Sequence, residues 1–304
     1  MSFRELPTPN YERDERKLLN YYKRALKELS QIVQNLAYDI EFVQHESLMQ
    51  QIALILQELD ASTKEWCEEM ILKAFKDGQA QALVSLDEAK NMNEAWQLLT
   101  MSLLAKEQVE ALIDDTYTDL LQATKNTERK VKQLVRSVVS DTMRMRAIQQ
   151  YGTRTMTNEI VNKLTKKGLS ERLESEAWVG IVDKAGRRWN LSTYAQMVVR
   201  TKLMQANFEG ARVESIERGI DLAVISSHGA KDACRHFEGM VISLNGLTKG
   251  FKTYAELRAS RKIFHPCCRH KVSPIRDIEL LPDRYKKKHE EQMQNIEKTL
   301  NGNR

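Results

Sequence analysis

From Tyr11 to Gln150 the chain runs 140 residues with one glycine, Gly78, and no proline. Glycine and proline are the residues that stop helices and make turns, so a stretch this poor in them has few places to fold back. Long helices are the expectation there. After Gln150 the punctuation returns: eleven of the twelve glycines lie in that half, with Pro266, Pro274 and Pro282. Shorter elements follow, and the expected fold class is α+β: a long-helix N-terminal half, then a small mixed α/β C-terminal domain with a short β-sheet.

The apolar spacing in the first half agrees. Leu19, Tyr22, Leu26, Leu29, Val33, Leu36, Ile40 and Val43 step by three and four, the spacing of a helical seam. The phase slips before Met49, Ile52, Leu56 and Leu59 resume it, which predicts a bend or break. Ser62 with Glu65 and Ser85 with Glu88 have capping-box spacing. The first box would open a helix through Trp66, Met70, Ala74 and Phe75. The second would open one through Trp96, Leu99, Leu103, Leu104, Leu112 and Ile113. Val131, Leu134, Val135 and Val138 continue the period, with Lys and Arg on the other face. Such stripes serve an intramolecular bundle or docking on a partner.

In the second half, Trp178–Leu191 holds two apolar runs around Asp183-Lys-Ala-Gly186, a β-hairpin pattern with glycine closing the turn. Ser192 then caps a helix through Tyr194, Met197, Val198, Leu203 and Phe208 that ends near Gly219. Asp221–Ser226 and Met240–Leu244 read as strands, Thr253 with Glu256 as the cap of a short helix, and Pro282 as the start of a last helix. That helix carries the basic run Lys286, Lys287, Lys288.

Composition excludes several classes. No run reaches the ~18 apolar residues of a spanning helix, the opening residues are too polar for a secretory signal, and four cysteines in 304 residues do not make a disulfide scaffold. A soluble chain in a reducing cytoplasm is expected. Residues 1–150 carry 19 Lys and Arg against 24 Asp and Glu, a net of −5, whereas 151–304 carry 28 against 18, a net of +10. A basic half suits an anionic neighbour such as nucleic acid, or is simply a solvated mixed surface. At 7% aromatic residues, a dedicated base-stacking platform is not expected.

Cysteine and histidine crowd one region. Cys234, Cys267 and Cys268 lie with His236, His265 and His270 in 37 residues, and His228 just precedes them. Zinc takes thiolate and imidazole ligands in a tetrahedron, and His265-Pro-Cys-Cys268-Arg-His270 offers donors from one tight turn. Cys234 or His228 would complete the set. The other account is that the cysteines are small core residues and the histidines satisfy loop carbonyls. Asp183 beside Arg187, Arg188 and Arg200 reads as a hairpin-to-helix ion pair or as an active site.

Four segments, in order, resemble the tailed-phage minor capsid protein 2 family. They are Asp183–Thr201, Ser226-Ser-His228-Gly-Ala, Phe237-Glu-Gly239-Met-Val-Ile-Ser-Leu244 and His265-Pro-Cys-Cys268-Arg-His270. They are also similar to the closing motifs of phage Mu F-like head morphogenesis proteins, and the resemblance spans about Gln150 to Asp277. It implies a structural protein rather than an enzyme, made in the host bacterial cytoplasm and housed in the virion. Its place would be the capsid interior near the portal, with the portal protein, other capsid proteins and packaged double-stranded DNA as partners and no membrane during assembly; release with the genome is part of the same picture.

On that basis the chain divides into a helical assembly or portal-docking domain (1–150), an α+β domain with the Cys/His cluster (151–280) and a basic C-terminal helix (281–304). Carried over by position, the metal candidates are His228, Cys234, Cys268 and His270, with His265 as the substitute, for a structural zinc. The Mu F-like Cys-x-x-Cys is reduced here, because Lys231 stands at its first position. Lys286, Lys287 and Lys288 are the nucleic-acid candidates. Two alternatives accompany this reading: a metal-dependent nuclease at the His265–His270 turn, and a non-specific DNA-binding protein using the Cys/His cluster.

Overall fold

The computed structural model describes residues 5–35, 44–151 and 162–301. They fall into two compact units. The first comprises the described parts of Arg13–Trp66 and Tyr117–Met197; the second those of Met1–Glu12, Cys67–Thr116 and Val198–Arg304. The expected α+β class holds: long helices come first and short antiparallel strands later.

In the first unit, helix α1 (Glu12–Asn35) buries Leu18, Tyr22, Ala25, Leu29 and Val33. The predicted period is right and its phase is shifted. Leu18 and Ala25 occupy the buried line, while Leu19 and Leu26 are half-buried beside it. Leu36, Ile40 and Val43 lie outside the described residues. Helix α2 (Gln44–Ser85) buries Ile52, Leu56 and Leu59 in this unit, and the Trp66 indole N–H donates to the Asp14 carbonyl at 3.0 Å. Ser62 opens no helix, because α2 runs through it unbroken. A Ser-x-x-Glu box caps only where the chain enters from non-helical backbone, and good helix formers precede Ser62.

Helix α3 (Met92–Leu98) belongs to the second unit. Helix α4 (Leu103–Tyr151) buries the predicted Val131, Leu134, Val135 and Val138. Its buried Thr124, Thr127 and Thr142 hydroxyls bond carbonyls four residues back, so no hydroxyl there is left unsatisfied. Helix α5 (Lys166–Arg172), capped by Thr165, is tied to α1 by Gln34 Nε2 donating to Ser170 Oγ at 2.9 Å. Its Arg172 pairs with Asp141 of α4 at 3.2 Å.

The predicted hairpin is present as β1 (Val179–Val182) and β2 (Arg188–Asn190). Gly186 closes its turn at φ +78°, which a side chain would resist. The Asp183 carboxylate accepts from the backbone N–H of Ala185 and Arg187, from Arg187 Nε at 2.7 Å and from the Trp189 indole at 3.1 Å. These bonds, that from Trp189 foremost, hold its pKa down at about 2. Asp183 is therefore a turn device, and Arg188 donates instead to the Ser175 carbonyl. Helix α6 (Leu191–Glu217) is entered through Asn190, whose Oδ1 accepts from the Ser192 N–H. Asn190 is the cap, two residues earlier than Ser192.

In the second unit the expected Ser85–Glu88 box is replaced. Asn91 caps α3 by accepting from the Glu94 N–H, and the Glu94 carboxylate takes the Lys90 N–H at 2.8 Å. Glu88 instead pairs with Arg218 and with Arg276. The anticipated helix from Trp96 onward breaks after Leu98, and Ser102 starts α4 by accepting from the Ala105 N–H.

A three-stranded antiparallel sheet lies in the order β4 (Val241–Ser243), β3 (Leu222–Ile225), β5 (Val272–Ile275). Strand β5 was not anticipated because it contains Pro274; as an edge strand it tolerates the missing donor. The sheet is covered on both faces. Ala223, Ile225, Ile242 and Val272 pack with Phe208 of α6, Leu257 of α7 (Tyr254–Ser260) and Ile296 of α8 (Asp283–Asn301). Val224, Val241 and Ile275 face Leu281 and Tyr285. Helix α7 opens with the predicted Thr253–Glu256 capping box, and α8 follows Pro282 as predicted. Among the described residues, no helix is long and apolar enough to cross a membrane.

Candidate metal centre

The Cys/His cluster sits on the Phe208–Ile296 face of the sheet, inside the apolar core that includes Phe237, Met240, Leu257 and Ile263. Two irregular segments supply it. A single 3-10 turn, Ala233–His236, is capped by Asp232 and presents Cys234 inward. The loop after α7 presents His265 and Cys268, and His270 follows as the chain enters β5. In that loop Arg261, Phe264 and Cys267 all adopt left-handed backbone, at φ +58°, +56° and +62°. Each non-glycine residue there costs on the order of 1 kcal/mol, so the loop's shape is held by what it brings together.

It brings donors together. Cys234 Sγ lies 3.8 Å from Cys268 Sγ and 3.0 Å from His265 Nε2. Cys268 Sγ lies 3.3 Å from His270 Nδ1. Cys234, Cys268 and His270 form one group whose ligand atoms are mutually within 4.8 Å, and Asp232, Cys234 and His265 form another. Both are groups able to hold a metal. His228 does not enter the sulfur cluster. Its ring lies against that of His270, tilted by 37° with centroids 4.2 Å apart, and it joins Glu238 and His270 in a third group.

Hydrogen bonds turn the imidazole lone pairs inward. His265 Nδ1 lies 2.9 Å from the Pro266 carbonyl, which can only accept, so Nδ1 carries the proton and Nε2 faces Cys234 bare. Asp232 Oδ2 lies 3.3 Å from the same Nε2. A sulfur, a carboxylate and a bare nitrogen facing one another require a cation or a proton between them. His270 Nε2 donates to Glu238 Oε1 at 3.4 Å, which leaves Nδ1 toward Cys268.

The hydrogen bond from Cys234 and then those from His270 hold the Cys268 thiol well below its ordinary value, against the effect of burial. Cys234 is pushed up, first by the bond it donates to Cys268 and then by burial. Burial opposes a charged His270, but Cys268 and Glu238 outweigh it and raise its pKa. The lowered Cys268 thiol favours the thiolate form that a metal ligand needs.

Glu238, within the Phe237–Leu244 segment, is a functional residue that the sequence motifs do not single out. It is buried, and one oxygen accepts from the His228 and Ala230 backbone N–H at 3.0 and 2.9 Å while orienting His270. Its signal was an acid flanked by Phe237 and Gly239 in an apolar run. Asp232 and Glu238 are both engaged as caps or orienting groups, so neither is poised as the general base that a hydrolytic centre needs. Of the basic run, Lys286 pairs with Glu279 at 2.6 Å, Lys287 is exposed, and Lys288 is half-buried beside Gly239.

Compared with known families, residues 10–301 match the profile of phage minor capsid protein 2. The chain belongs to that family. Membership in the minor capsid protein 2 family thus extends over the helical half, which the sequence motifs alone had not reached. It makes the chain a structural capsid component of the virion, with other capsid proteins as partners. Among curated proteins and among solved structures, nothing matches.

Proposed function

We propose that this minor capsid protein holds a structural zinc ion between Cys234, His265, Cys268 and His270, and that the ion fastens a head component standing near the portal against packaged DNA. The observation that carries the metal is the 3.8 Å sulfur–sulfur separation with an imidazole nitrogen against each sulfur. Two thiolates each ~2.3 Å from one tetrahedral ion would stand about 3.8 Å apart. Four protein ligands leave no open position for water, which is the arrangement of a structural site and not of a nuclease. His265 takes the place for which His228 was the first candidate, and Glu238 orients His270 from behind.

The family match and the basic balance of residues 151–304 support placement in the head beside DNA. Contact there would be electrostatic and without sequence preference, and release with the genome fits the same placement. Elemental mass spectrometry of the full-length protein, purified under reducing conditions, tests the metal. About one zinc per chain, lost with a fall in melting temperature in Cys268→Ser, is expected. No zinc in the parent, with unchanged melting in the variant, would overturn the site. Cross-linking of intact heads tests the placement: links to the portal support it, and links confined to the shell overturn it.

A further inference from the structure

An open cleft of about 800 Å³ lies beside the metal centre and shares Asp232 and His265 with it. Its walls are the turn Ala233–His236, the loop at Arg261–His265 and one stripe of α8. On that stripe Lys288, Glu291, Asn295 and Lys298 recur every three or four residues, while Tyr285, His289 and Ile296 on the adjoining face are buried.

The lining is unbalanced in charge. Arg235, Arg261, Lys262, Lys288 and Lys298 face it against two carboxylates, Asp232 and Glu291. Elsewhere in this unit basic side chains meet acids, as Lys252 meets Glu297 and Lys286 meets Glu279. Arg261, Lys288 and Lys298 form no ion pair among the described residues. Five cations gathered in a concavity against two carboxylates focus a positive potential there, and that arrangement recruits a polyanion.

We propose that this cleft binds phosphate groups, those of a nucleic-acid backbone. The inference rests on the DNA-contact reading above only for the source of the phosphate. Guanidinium forks and ammonium point charges recognise phosphate oxygens together. No phenyl, phenol or indole ring lines the cleft, so it has no surface on which to stack bases and reads charge rather than sequence. Along α8, Lys288 and Lys298 stand about 15 Å apart, long enough to face several charges of a duplex. Arg261 and Lys262 ride on the left-handed loop that delivers His265, so the same backbone sets two of the cations and one metal donor.

The test is fluorescence anisotropy of the full-length protein with a short labelled duplex over a salt series, with pyrophosphate as competitor. The variants are Arg261→Ala combined with Lys298→Ala, Lys298→Ala alone at an exposed helical position, and Lys184→Ala in the hairpin turn of the first unit as control. The double variant should bind about tenfold more weakly and lower the salt slope by about 2, with the single variant between, the control unchanged and pyrophosphate competing. Equal duplex binding by parent and variants would overturn the cleft while leaving DNA contact elsewhere standing. Binding of neither duplex nor pyrophosphate by the parent would overturn the cleft and the DNA contact together. Pyrophosphate binding lost in the double variant, without duplex binding, would support the phosphate cleft, assign it to free phosphate and remove the DNA contact.

Discussion

Cys234 and Cys268 hold their sulfurs 3.8 Å apart with no disulfide between them, although both are buried. A disulfide would need about 2.05 Å, and two core cysteines would need no imidazoles. Each sulfur here has one, from His265 and from His270, and each ring is turned by a bond on its far nitrogen. Three left-handed residues build the loop that makes this meeting. Packing alone does not account for it; the proposed zinc would.

The two histidines that competed for the fourth position separate by experiment. His265→Ala should abolish zinc retention, and His228→Ala, which removes a ring tilted against His270, should leave at least most of it. Zinc content of the two purified variants checks this, and the reverse order would return the ligand to His228.

Helices α2 and α6 meet through two glycines. A Cβ on Gly210 would lie 1.9 Å from the Phe75 carbonyl oxygen, and one on Gly78 1.9 Å from that of Asn207. Neither oxygen can move without disturbing a helix. Gly210→Ala should therefore lose at least about 2 kcal/mol despite alanine's better helix propensity. Thermal melting reads the loss, and an unchanged or higher melting temperature would show that the crossing can widen.

Burial, less the bond from Thr124 and with the Glu128 charge adding, raises the Asp60 pKa from 3.8 to about 6. Between those values the folded chain holds a proton that the unfolded chain has lost. Asp60 therefore reduces stability as pH rises from about 4 to about 6, and its full penalty stands above that. Asp60→Asn should stabilise the protein at pH 7 and make no difference near pH 3. The pKa gap sets a ceiling of about 3 kcal/mol, lowered by solvent screening because Asp60 is only partly buried. Denaturant melts at the two pH values check the sign.

The phase of α1 makes a paired prediction. Leu29 is fully buried and Leu19 only half-buried. Leu29→Asp should lose on the order of 4 kcal/mol through lost burial and a stranded charge, and Leu19→Asp much less. Equal effects would put Leu19 on the packed line after all.

Much of this was legible because short-range rules carry it. The scarcity of breakers before Gln150 marked the long helices; Asp183 to Gly186 marked the hairpin turn; Thr253 with Glu256 marked the start of α7. What escaped depended on contacts between distant residues. Leu18 and Leu19, like Ala25 and Leu26, are both apolar, so only packing chooses between them. Gly78 reads as a weak point in a helix, and its use becomes plain only against Asn207. Pro274 hid an edge strand whose partner, Ala223, lies 51 residues earlier. At the centre, cysteine and histidine clustering identified the donor pool, but His265 and His228 could be ranked only by distance. Glu238 stands out in the sequence only as an acid in an apolar run, and its work of accepting backbone N–H groups shows only in the fold.

The most direct test of the metal centre is X-ray absorption at the zinc edge on the full-length protein in solution. The account predicts two sulfur scatterers near ~2.3 Å and two nitrogen scatterers near ~2.0–2.1 Å. An absent zinc edge, or a shell of oxygens from water and surface carboxylates, would contradict it.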